Sequence, residues 1–182
     1  MDKLAPMNLL LKLSTRIDAL NRGIGKSIIW LVLIAVLVSA VNAVVRKAFN
    51  ISSNAFLELQ WVLFSAIFLF GAAYALQINE HVRIDILSNR LKARTRVLIE
   101  LFGTVFFLLP IALLVVYLAW PIFVSAYQSG EVSANAGGLA VWPARLMVPA
   151  GFFLLALQGI SQAIKCIGFL SGHSSDPVTC KR

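Results

Sequence analysis

Apolar residues along this chain gather into four long blocks separated by short polar stretches, without the two-residue alternation of strands and without an internal repeat. The blocks run from about Ser27 to Val45, Phe56 to Ile78, Val97 to Tyr127 and Pro143 to Leu170. Each reaches the ~20 mostly apolar residues that carry a helix across the hydrocarbon of a bilayer, where a helix pairs all its backbone groups internally. The third would be ~46 Å long if unbroken, more than a bilayer requires. It is expected to tilt, or to kink at Pro110 and Pro121.

Ahead of the first block, Leu4, Met7, Leu10, Leu11, Leu13, Ile17 and Leu20 recur at helical spacing with Lys12, Arg16 and Arg22 between them. That pattern predicts an amphipathic helix lying on the inner leaflet. A cleaved signal peptide, with Val38-Ser39-Ala40 as its small-residue site, is the rival reading; the long leader and long apolar stretch argue against it. The expected organisation is an all-α membrane protein with an interfacial helix over residues 1–26, four transmembrane helices over 27–170 and a tail over 171–182.

Composition sharpens this. With 59% hydrophobic and 13% charged residues, the chain lies outside the range of soluble domains. The net charge of +8 does not indicate nucleic acid, because a basic binding face must be solvated and most of this surface is apolar. Anionic lipid headgroups are the expected counterpart. Thirteen basic residues fall before the first block, between the second and third, or late in and after the fourth; only Arg46, Lys47 and Arg145 fall on the opposite side. Basic residues in short loops stay cytoplasmic, so both termini are expected in the cytoplasm. Trp61, Trp120 and Trp142 then sit near the outer ends of spans, where amphipathic rings belong.

Polar groups inside spans must face protein, water or headgroups. Ser39, Asn42 and Arg46 share a face of the first span, and Glu58 near the outer end of the second is expected to be neutralised by Arg46 or Lys47. A lone carboxylate there is either an ion or substrate ligand or a clamp between helices, and the clamp is the commoner use. Gln158, Ser161 and Gln162 form a stripe suited to an interhelical hydrogen-bond seam. Gly71, Ala72, Ala75 and Gly103 permit close helix approach. Glu100, one turn after Arg96, suits a local ion pair. In the stretch between spans two and three, Arg83, Asp85, Arg90, Arg94 and Arg96 accompany apolar residues that can dip into the lipid interface.

Several chemistries lack their residues. Axial haem ligands within a span are missing, since His81 lies in a loop and His173 in the tail. His81 beside Glu80 and Asp85 falls short of a metal site, which needs three or four converging ligands. Cys166 and Cys180, expected as free thiols, lie toward the cytoplasm, away from where a membrane disulfide oxidant works. No glycine-rich phosphate loop is present. The expectation is therefore no enzyme, no cofactor and no metal, and neither the inverted repeats nor the broken helices of a self-contained carrier.

Within this frame, Glu58-Leu59-Gln60-Trp61, the run Phe68 to Leu76 (FLFGAAYAL) and His81-Val82-Arg83-Ile84-Asp85-Ile86-Leu87 resemble the small membrane subunit of tripartite ATP-independent periplasmic transporters, the DctQ-like family. Ser129-Gly130-Glu131-Val132-Ser133, Trp142-Pro143-Ala144-Arg145, Pro149-Ala150-Gly151-Phe152 and Leu157-Gln158 extend the resemblance over about residues 28–165. It implies a bacterial inner-membrane subunit that braces a large multi-span permease, which itself moves organic acids with sodium after delivery by a periplasmic substrate-binding protein. On that footing Glu58, Trp61, Gly71, Ala75, Gln158 and Gln162 are candidates for the subunit interface, and Arg46, Lys47, Glu131 and Arg145 for a periplasmic docking face. A self-associating carrier or channel of four short spans is the alternative.

Overall fold

The computed structural model describes residues 4–49, 54–78, 91–135 and 138–172. They form four helices long and apolar enough to cross a membrane: α1 (Leu4–Phe49), α2 (Asn54–Gln77), α3 (Ala93–Ser129) and α4 (Trp142–Leu170). The predicted blocks and the observed helices coincide, because each block is a run of residues that bury no backbone group unpaired only when helical.

α1 differs from expectation in one respect. The leader and the first span are one continuous helix of 46 residues, ~69 Å long, with no break at residues 26 and 27. Its buried face recurs every seven residues at Ser14, Asn21, Ile28 and Ala35, the spacing that keeps one seam of a helix against its neighbours. The leader's leucines point elsewhere: Leu9, Leu10, Leu13 and Leu20 are exposed. Its small polar stripe, with Ile17 beside it, joins it to the bundle.

α2 runs back along α1, with Gln60 bonded to Ser39, Gly25 against Tyr74, and Gln77 Nε2 donating to the Asp18 carbonyl at 2.9 Å. α4 is the hub, packing on α1, α2 and α3. It is the least apolar span and the most buried, since its amides, hydroxyls and small residues find partners on three helices. At Gly151 the backbone of α2 comes close: a Cβ there would lie 2.6 Å from the Leu69 Cβ and 3.1 Å from its carbonyl carbon, so only glycine fits.

α3 carries the irregularity expected near Pro110. Thr104–Leu108 form a widened turn in which the Leu109 N–H donates to the Thr104 carbonyl five residues back. Proline lacks an N–H and its ring crowds the carbonyl four residues earlier, here that of Phe106; the wide turn falls on that carbonyl. Helix resumes at Leu109 and continues through Pro121 to Ser129, where Gly130 stops it with a φ of 62°, a left-handed geometry that glycine adopts without strain. The far side of α3, with Phe102, Phe106, Tyr117 and Trp120, is more than half exposed, as a lipid-facing surface requires.

Candidate functional site

Polar side chains in this bundle are concentrated in two layers. At the end where α1 begins and α4 ends, Asp18 is the centre. Its Oδ1 accepts from Ser161 Oγ at 2.7 Å and from Gln158 Nε2 at 3.1 Å, while Lys165 Nζ pairs with Oδ2. Because the Ser161 proton is directed to Asp18, Ser14 Oγ is the donor in the 2.8 Å contact between the two hydroxyls. Asn21 Nδ2 donates to Gln158 Oε1 at 2.7 Å, and Gln162 Nε2 donates to Glu100 on α3. One cluster thus joins α1, α3 and α4, and α2 reaches it through Gln77.

At the opposite end, Glu58 in the second turn of α2 holds the loop between α3 and α4. Ser133 Oγ and Asn135 Nδ2 donate to its Oε1, the latter at 2.7 Å, and the Leu139 N–H donates to its Oε2 at 2.8 Å. The loop is itself folded back, with Ser133 N–H to the Leu139 carbonyl at 2.9 Å and Val141 N–H to the Glu131 carbonyl at 3.0 Å. Arg145 and Glu131 form a two-pronged ion pair with N to O distances of 2.8 and 2.9 Å.

The spacing of the layers carries meaning. Glu58 and Gln77 are nineteen residues apart on α2, and Arg145 and Lys165 twenty apart on α4, ~28 and ~30 Å along a helix, which is the thickness of a bilayer's hydrocarbon. Between the layers most of the buried residues are small and apolar, among them Ala35, Ala66, Ala73, Ala112 and Ala156. On α2 and α4 the two polar layers are thus one hydrocarbon thickness apart.

A model of the family described as tripartite ATP-independent periplasmic transporters, DctQ component, matches residues 27–168. The chain belongs to this family. It is the small membrane component of such a transporter, a multi-pass protein of the inner membrane, and in these systems it works with a large permease and a substrate-binding protein. No curated protein and no solved structure matches the chain significantly.

For this DctQ-family chain the structure places the sequence candidates as follows. Gln158 and Gln162 lie in the buried cluster, as a hydrogen-bond seam inside the bundle. Glu100 accepts a hydrogen bond from Gln162 of α4. Glu58 clamps the α3–α4 loop; among the described residues neither Arg46 nor Lys47 pairs with it, since both are exposed at the last turn of α1. Glu131 and Arg145 hold each other. Trp61 is 69% exposed beside an open groove of 330 Å³ that Glu58, Ser65, Leu139 and Ala144 also line. Gly71 makes ordinary contact with Ile28, Ala75 is half-buried, and a Cβ on Gly103 would meet open space. Arg94 is exposed at the start of α3 and Arg96 is half-buried one turn along. Arg83, Asp85, Arg90, His81, His173 and Cys180 lie outside the described residues; Cys166 is fully buried on α4. Among the described residues no group of three potential metal ligands converges.

Asp18, Asn21, Ser14 and Lys165 were the partners missing from the sequence reading. A signal for them exists: Ser14, Asp18, Asn21 and Gly25 follow at i, i+4, i+7 and i+11, a stripe of small and polar residues inside a leucine-rich helix, and Asp18 is the sole acidic residue of α1.

Proposed function

We propose that this subunit braces the stationary part of the large permease in a sodium-coupled transporter for organic acids, and that its loop end helps to seat the substrate-binding protein. The observation that carries this reading is where its polar groups go. Ser14, Asn21, Gln158, Ser161 and Gln162 are each bonded to a neighbouring helix, so the bundle's polarity holds helices together rather than lining a route for a solute. Catalysis has no place in this reading, and substrate and sodium belong to the larger partner.

The layer containing Asp18 and Lys165 faces the cytoplasm, with both termini. The excess of lysine and arginine on that side supports this orientation. Glu58, Glu131, Arg145, Arg46 and Lys47 then face the periplasm. The first three set the loop's shape, which leaves Arg46 and Lys47, unpaired among the described residues, as the charges of a docking face.

Reconstitution in liposomes tests the role. The subunit alone should move no organic acid, and the permease together with it and the binding protein should show sodium-dependent uptake. Uptake or leak by the isolated chain would replace bracing with a self-associating carrier. A tag at either terminus that is labelled from outside intact cells would reverse the orientation.

A further inference from the structure

We infer that α1 carries a binding site for a single anionic phospholipid, with the headgroup at Lys12 and Arg16 and an acyl chain in the groove above them. The groove is open, measures 480 Å³ and is lined by Leu20, Gly23, Ile24, Ser27 and Leu31 of α1 together with Phe70 of α2. Ser27 Oγ is turned to the Gly23 carbonyl at 3.1 Å, which removes its polarity from the groove. A Cβ on Gly23 would meet open space, so the missing side chain is what keeps the floor clear.

Arg16, Leu20, Gly23 and Ser27 stand at i, i+4, i+7 and i+11 and share one face of the helix; Lys12 extends that face by one more turn. Both basic residues are exposed. The acid of α1, Asp18, is turned to α4 and engaged by Lys165, Ser161 and Gln158, so it does not offset them. Lys12 and Arg16 lie at the N-terminal foot of the groove, and two further exposed cations, Arg22 and Lys26, stand beside its lower half. Arg16 to Leu31 spans fifteen residues, ~22 Å, half the ~40–45 Å of a bilayer with its headgroups. An apolar slot one leaflet deep with two cations at its foot matches a lipid bearing a negative headgroup. The inference rests on membrane insertion and not on the bracing role.

The full-length chain, purified in mild detergent and returned to nanodiscs of phosphatidylcholine with a minor share of phosphatidylglycerol, is examined by native mass spectrometry for retained lipid. Phosphatidylglycerol should be retained over phosphatidylcholine. Lys12→Gln with Arg16→Gln should weaken that retention about 30-fold, at roughly 1 kcal/mol for each basic residue near the surface. Gly23→Leu should abolish it with every charge in place and should fold, since its side chain enters free space; Lys47→Gln at the other end should change nothing. Equal retention of both lipids, or retention indifferent to the double and Gly23 variants, overturns the site. So does efficient cross-linking of Ala19→Cys to the large permease in the assembled complex, which would make the groove a protein contact.

Discussion

Lys165 of α4 neutralises Asp18 of α1 across the helix junction, in a pair whose side chains are 30% and 16% exposed. The carboxylate also takes hydrogen bonds from Ser161 and Gln158. Removing one partner strands the other charge in a poorly solvated place, so the single variants should be worse than the double. Lys165→Met and Asp18→Asn should each lower stability by on the order of 3 kcal/mol, and the double variant should recover part of the loss. Thermal unfolding in detergent reads this. Additive single effects would mean that the two charges act independently.

The span boundaries were legible because hydrophobic blocks of spanning length have only one way to satisfy their backbones in lipid. The leader was harder. Its leucines carry the helical period that hydropathy detects, yet Ser14, Asp18 and Asn21 make the hydrogen bonds to the bundle, because in lipid the exposed side of a bundle is apolar and polar residues seek the interior. Gln158 and Ser161 were readable as a seam for the same reason, whereas their partner at position 18 lies 140 residues away and leaves no local mark. The glycine pattern misled in detail: Gly71 and Gly103 look alike in sequence to Gly151, and only the crossing with α2 distinguishes them.

Gly151 gives the next prediction. Its missing Cβ lets the Leu69 backbone approach α4, and a larger side chain must push the helices apart. Gly151→Val should destabilise the chain by about 1–3 kcal/mol, the usual range for overpacking. Gly71→Ala, whose Cβ would sit 3.9 Å from Ile28 Cδ1, should be tolerated. Unfolding midpoints of the two variants, measured side by side, check the contrast; equal sensitivity would place the tight crossing elsewhere.

Among the described residues, Glu58 fastens α2 to the α3–α4 loop through both carboxylate oxygens. Glu58→Gln keeps the shape but replaces one acceptor with a donor, which then faces the Leu139 N–H or the Asn135 amide. The loop hydrogen bonds should open more often, and amide exchange at Leu139 should accelerate on the order of tenfold while α4 beyond Pro149 stays protected. Exchange unchanged at Leu139 would show that the backbone pairing of residues 131–141 fixes the loop unaided.

At the same end, charge separates structure from docking. Arg145 and Glu131 are engaged with each other, so exchanging them, Arg145→Glu with Glu131→Arg, should preserve the loop and leave binding-protein affinity within about twofold, as expected for an exposed pair worth under ~1 kcal/mol. Arg46 and Lys47 have no such duty. Reversing both, Arg46→Glu with Lys47→Glu, should slow association of the binding protein about tenfold or more at low salt, with the difference shrinking as ionic strength rises and the Debye length falls from ~30 Å at 0.01 M to ~8 Å at 0.15 M. Association rates measured across a salt series distinguish steering from contact. A salt-independent loss would place these side chains within a desolvated interface, and no loss at all would remove them from the docking face.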